Sequence, residues 1–249
     1  MASPTPPSPP NADLGTFFAE AAQDDLSSHL HRQLIGYLGL ALPPLLWLIS
    51  GLRPTRPLES WVLLDSISSY YYTGAVAAFV GILVALAAFF ITYQGYDNDS
   101  RRRDRIAAVI ASFAAIGVAL FPTGAPEGVL PASWWTPETR TIHYGSAVTL
   151  FGTFIFYALF LFPKSNLKAG APLPADKQVR NALYRSCGLI MLACMAWAGS
   201  ALFTKAAIFW PETFALWVFA FSWLVKGRAD WTLKAVGRRA LRFGRPRGQ

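Results

Sequence analysis

Residues 66–96 read SISSYYYTGAVAAFVGILVALAAFFITYQGY, without one Asp, Glu, Lys or Arg. A helix needs about 20 apolar residues to cross a hydrocarbon core of roughly 30 Å. Working outward, five further runs meet or approach that length: 34–52, 106–126, 141–163, 186–204 and 206–225. The run 141–163 holds no Asp, Glu, Lys or Arg and one histidine, His143, and Glu212 is the one charge in the last run. The bilayer core offers no water to backbone amides, so each run must satisfy its own hydrogen bonds and is read as a helix. Buried helices of soluble proteins seldom run this long without charge.

The composition agrees. Hydrophobic residues make up 53% of the 249 and charged ones 14%, against about a quarter charged in an ordinary soluble domain. Mean hydropathy is +0.34. These values exclude a disordered chain, a coiled coil and a disulfide scaffold. Cys187 and Cys194 lie seven residues apart on one predicted helix, about 10 Å along its axis. That is too far for a mutual disulfide.

The sequence thus predicts an all-α polytopic membrane protein with six transmembrane helices over 34–226. Residues 1–33 form a proline-rich tail, expected to be disordered and to lack a signal peptide, followed by a possible interfacial helix at 13–33. Residues 227–249 form a basic tail. Pro43-Pro44 predicts a kink or break in helix 1. Ala77, Gly81 and Ala85 on helix 2, and Ala107, Ala111, Ala115 and Ala119 on helix 3, have the small-residue spacing of close packing. A tight antiparallel hairpin is expected there. Thr136-Pro137-Glu138 has the cap, proline and acid of a helix start.

Orientation follows from charge. Of the 22 Lys and Arg residues, Arg53, Arg56, Arg140 and Lys205 fall on one side of the six-helix topology and the rest on the other. Basic residues stay in the cytoplasm, so both termini are expected there, in the plasma membrane. The basic tail is read as contacting anionic lipid headgroups rather than nucleic acid.

The topology gathers unusual polar residues at the outer leaflet: Asp65, Ser66, Ser68 and Tyr71 before helix 2, Thr123 after helix 3, His143 and Tyr144 in helix 4, and Glu212 in helix 6. His143 lies about 9 Å along its helix, and an ionisable residue inside a membrane is a functional hypothesis by default. Each also has an ordinary structural role: aromatic belt for the tyrosines, helix cap for Asp65 or Ser66, first-turn acid for Glu212. Together they predict an outward-facing site for a lipid or small amphiphile, with Tyr71 and Tyr144 stacking or hydrogen-bonding the ligand and His143 and Glu212 setting its charge preference.

Other chemistries have thinner support. A Ser–His–Asp set is available from Ser66 or Ser68, His143, and Asp65 or Glu212, but no G-x-S-x-G elbow surrounds the serines. His29 and His31 lie across the predicted bilayer from His143, and the carboxylates left to it make a poor zinc site. No metal or cofactor is expected. No inverted repeat points to a carrier, and no ring of pore-lining groups points to a channel; the alternatives to the binding site are the intramembrane Ser/His lipid hydrolase and a structural or regulatory membrane protein without a site.

The motifs Asp65–Thr73, Tyr93–Asp97, Phe121-Pro-Thr123, His143-Tyr144 and Phe221–Gly227 resemble a group of bacterial polytopic integral membrane proteins. The resemblance covers about residues 34–227 and implies a class with no activity attached. A weaker similarity is to the alkaline ceramidase-like membrane hydrolases, which place Ser, Asp and His near one membrane face. The chain departs from them in having six predicted helices and no His-x-x-x-His in the last.

Overall fold

The computed structural model describes residues 14–95, 100–164 and 172–228, with the backbone alone for 14–28 and Leu202. The proline-rich tail, the basic tail beyond Arg228 and the Tyr96–Asp97 end of one motif lie outside these residues. Among the described residues the chain is all helical: α1 (Leu14–Leu52), a 3-10 segment (Ile67–Tyr72), α2 (Val76–Thr92), α3 (Arg101–Leu120), α4 (Pro137–Phe156) continued by a π turn (Tyr157–Leu161), α5 (Ala175–Thr204) and α6 (Phe209–Lys226).

Each α-helix packs on the next, and α6 packs back on α1, so the bundle is a closed ring. Hydrogen bonds identify its two ends. At one end, the 3-10 segment meets the end of α3 and the starts of α4 and α6: His143 reaches Ser68 and the Phe121 carbonyl, and Ile208 N donates to Asp65 O. At the far end, Gln33 Nε2 donates to Gly227 O and the Tyr157 hydroxyl to Asp104 O. Lys226 and Lys177 both donate to Phe162 O there, at 3.1 and 3.3 Å. These ammonium groups meet carbonyls that the end of α4 leaves over.

The α1 backbone shows no break at its proline pair. The predicted interfacial helix and helix 1 form one continuous element, and that element runs through Pro43 and Pro44. Pro44 has no N–H for the carbonyl of Leu40, four residues back. Trp217 Nε1 in α6 donates to that carbonyl at 3.2 Å. The neighbouring helix thus supplies the bond the proline withholds, which is how membrane helices tolerate proline.

The uncharged run 66–96 divides. Its first part is the 3-10 segment, capped by Ser66 Oγ accepting from Ser69 N (3.1 Å). At Thr73 the hydroxyl donates to Tyr70 O and accepts from Ala75 N. At Gly74 the chain passes so close to Arg53 that a Cβ would lie 2.6 Å from its carbonyl oxygen. The α-helix starts only at Val76, leaving 17 residues, about 26 Å at 1.5 Å each. Among the described residues, three helices are by length and composition long enough and apolar enough to cross a membrane: 29–52, 137–161 and 175–201.

The small residues of α3 behave as expected. Ala107, Ala111, Ala115 and Ala119 are all buried, and Ser112 Oγ donates across to Ala87 O at 2.9 Å. Those of α2 do not. Ala77 and Gly81 are exposed, and a Cβ on Gly81 would touch nothing. The face of α2 that packs carries Phe79, Leu83, Leu86, Ala87 and Phe90, because a ring interior needs volume that small residues do not supply. The α2–α3 hairpin still packs closely through the alanine face of α3, and a second close approach joins α1 and α6, where Gly36 and Gly39 face Ala220.

Helix α4 starts where predicted, with Pro137 in the first turn and Thr136 N donating to Thr139 Oγ1 at 3.2 Å. Its inner face joins an aromatic core. Phe154 and Phe219 stack with ring centres 3.5 Å apart. Trp223 meets Phe219 edge to face, and Phe90 packs tilted against both stacked rings. Cys187 and Cys194 are buried free thiols of α5.

Candidate functional site

The three residues that follow α3 present their carbonyls toward its neighbours, and each accepts from a side chain. Phe121 O accepts from His143 Nδ1 at 2.6 Å, Pro122 O from Trp135 Nε1 at 3.3 Å, and Thr123 O from the Tyr72 hydroxyl at 2.6 Å. Pro122 ends the helix, and unmet carbonyls inside the bundle carry a penalty.

The first of these bonds sets the chemistry of the other two groups in its line. A carbonyl only accepts, so Nδ1 of His143 carries the hydrogen. In the neutral imidazole Nε2 is then an acceptor. Ser68 Oγ lies 2.9 Å from Nε2, so the Ser68 hydroxyl donates to it. His143 is 2% exposed and Ser68 8%, which holds the relay in one arrangement. The direction of the hydrogen bonds therefore runs from Ser68 through His143 to Phe121.

Glu212, in the first turn of α6, accepts from Ile67 N with Oε2 at 2.8 Å. Ile67 opens the 3-10 segment. The N-terminal poles of two helical elements thus address one carboxylate, the favourable arrangement for an acid.

Beneath the 3-10 segment lies a cavity of about 50 Å³. Ser68 and Glu212 are its polar lining. The other walls are apolar, chiefly Leu42, Phe79, Leu83, Leu150, Phe154 and Leu216 from α1, α2, α4 and α6. The polar groups sit at the 3-10 end, and Leu86 and Phe154 lie deeper along their helices. Further still, the Phe90–Phe219–Trp223 cluster fills the axis. The space thus has apolar walls and floor, with its two polar groups at the 3-10 end.

The structure separates the eight candidate residues. Ser68, His143 and Glu212 converge, two on the cavity and one directly behind it. Ser66 acts within the 3-10 cap, bonded to Ser69. Tyr71 packs edge-on against Tyr72 and Phe79 and does not line the cavity. Thr123 Oγ1 donates to the exposed Tyr144 hydroxyl at 3.4 Å, on the outside of the site. Asp65 is exposed and contributes its carbonyl, to Ile208 N. Sequence reasoning missed Tyr72, the Phe121 carbonyl that orients the histidine, and the apolar lining. A backbone acceptor leaves no mark in a sequence, and the lining leucines and phenylalanines resemble every other apolar position of their helices. Among the described residues no group of three His, Cys, Asp or Glu is placed to hold a metal ion.

Comparison with models of known families, with curated proteins and with solved structures finds no match.

Proposed function

We propose that the chain is a six-span plasma-membrane protein, both termini cytoplasmic, that takes the apolar part of a lipid or small amphiphile into this cavity from the outer leaflet. The observation that carries the reading is the cavity itself: apolar walls, and Ser68 and Glu212 as its polar lining. Ligand sites commonly combine apolar walls with few, well-placed polar groups. The charge distribution supports the orientation, since Arg101, Arg102, Arg103, Lys164 and Lys177 belong to the far end of the ring and basic residues stay inside. Three helices meet the length of a span outright. The other three reach six by their place in the same closed ring.

The test is native mass spectrometry with lipid extraction on gently purified wild type and His143→Ala. A bound amphiphile that disappears in the variant is the expected result. An empty wild-type protein under conditions that preserve lipid adducts elsewhere overturns the reading.

The Ser68–His143 relay favours a second reading, an intramembrane ester hydrolase. There the Ser68 oxygen would bond to the ester carbonyl carbon, its proton would pass to Nε2 and on to the departing alcohol, and water would release the acid. Exposing the same samples to a serine-reactive fluorophosphonate tells the two apart. A covalent adduct on Ser68, absent from His143→Ala, is the signature of the hydrolase.

A further inference from the structure

The hydrogen-bond polarity of the cavity rim carries further than its shape. The Ser68 hydroxyl spends its hydrogen on His143 Nε2, because Phe121 O fixes the hydrogen of the imidazole on Nδ1. Ser68 therefore offers the cavity lone pairs and no donor. Glu212 likewise offers acceptor capacity, one oxygen of its carboxylate being held by Ile67 N. No Lys or Arg among the described residues lines the space. Among the described residues, no basic side chain pairs with this partly buried carboxylate. A carboxylate in an apolar setting with a single backbone donor is poorly compensated. The group that completes this rim brings hydrogen-bond donors and positive charge.

We propose that the ligand is an alkylammonium: an apolar chain against Phe79, Leu83, Leu150 and Leu216, with a protonated amine donating to Glu212 and Ser68. This assignment rests on the amphiphile site proposed above and narrows it to one head-group class. An ammonium has three N–H donors and no acceptor, matching the lone pairs of Ser68 and of an ionised Glu212. A carboxylate, sulfate or phosphate head would face Glu212 with like charge and find no donor, a mismatch that discriminates strongly between ligands of equal chain length.

The test compares three probes of one short chain length, butylammonium, butanol and butyl sulfate, because a cavity of about 50 Å³ has room for about three to five waters. Each is titrated against the full-length protein in nanodiscs of phosphatidylcholine. Butylammonium is expected to bind at least tenfold more tightly than butanol, and butyl sulfate more weakly than either. Glu212→Gln should bring butylammonium to the affinity of butanol. Ser68→Ala removes one acceptor without touching the helix starts and should narrow the same preference several-fold, so the assignment is testable even if Glu212→Gln does not fold. Equal affinity of butanol and butylammonium in wild type overturns the ammonium assignment and leaves the amphiphile site standing. Binding of none of the three overturns both. Adding phosphatidylethanolamine to the discs identifies the source of the amine: displacement of butylammonium indicates a lipid amine, and its retention a free one, the assignment holding in either case.

Discussion

At the scale of single residues, His143 stands out for what it joins. Its ring bridges α3 and the 3-10 segment through Phe121 O and Ser68 Oγ, which are remote in sequence. Removing it leaves a buried carbonyl and a buried hydroxyl without their partner, whereas removing Ser68 leaves only Nε2. An unmet buried polar group costs about 1–3 kcal/mol. His143→Ala is accordingly expected to destabilise the protein by about 2–4 kcal/mol, the upper end reflecting two such groups. Ser68→Ala is expected to cost about 1 kcal/mol. Reversible unfolding in mixed micelles measures both, and equal losses would mean that Phe121 O finds another donor. The residue identities at this site were legible in the sequence: a lone histidine and a lone glutamate in otherwise uncharged runs. Their partners were not. Tyr72 rather than Tyr71 reaches Thr123 O, and three consecutive tyrosines give no periodicity by which to choose.

At the scale of elements, α1 shows how a helix keeps a pair of prolines. The expected break at Pro43-Pro44 assumed that the freed carbonyls would have no donor. Trp217 provides one to Leu40 O from α6, and Gly36 and Gly39 let α6 come near enough for it to reach. Trp217→Phe keeps the aromatic bulk and removes the donor. Its expected cost is about 0.6–1.7 kcal/mol, the range for interhelical hydrogen bonds in membranes. The loss should disappear when Pro44→Ala restores the helix's own N–H. A double-mutant cycle in the same unfolding assay reads this directly, and an undiminished Trp217→Phe loss in the Pro44→Ala background would disprove the compensation. The 3-10 segment carries the opposite lesson. Its apolar, uncharged sequence reads as the first turns of helix 2, yet Thr73 and the close passage at Gly74 turn the chain before α2 begins. That turn is what aims Ser68 inward.

At the scale of the whole molecule, the ring arrangement creates the cavity. Large side chains project inward from α2 and α4, and the aromatic cluster of Phe90, Phe154, Phe219 and Trp223 closes the axis below. The proposed orientation puts the 3-10 end outside. With Cys187 and Cys194 replaced by Ala, a membrane-impermeant maleimide should label Glu127→Cys, in the exposed α3–α4 loop, on intact cells. Arg103→Cys, at the exposed start of α3, should be labelled only after permeabilisation. The reverse pattern would invert the protein, and labelling of both from outside would remove α3 from the set of spans.

What the sequence determined by itself was set by the solvent and by local chemistry. Uncharged runs dictated helices, since a backbone without water has no other way to satisfy its amides. Thr136-Pro137-Glu138 dictated where α4 starts, and the alanines of α3 dictated a buried face. What only the tertiary structure decided depends on groups brought together from distant parts of the chain. The Phe121 carbonyl chooses the tautomer of His143, Trp217 rescues Leu40 O, and Glu212 caps the 3-10 segment through Ile67 N. Each is a hydrogen bond between a side chain and a backbone atom far away in sequence. Every residue has such a backbone atom, so no pattern of residue types distinguishes the one that is used.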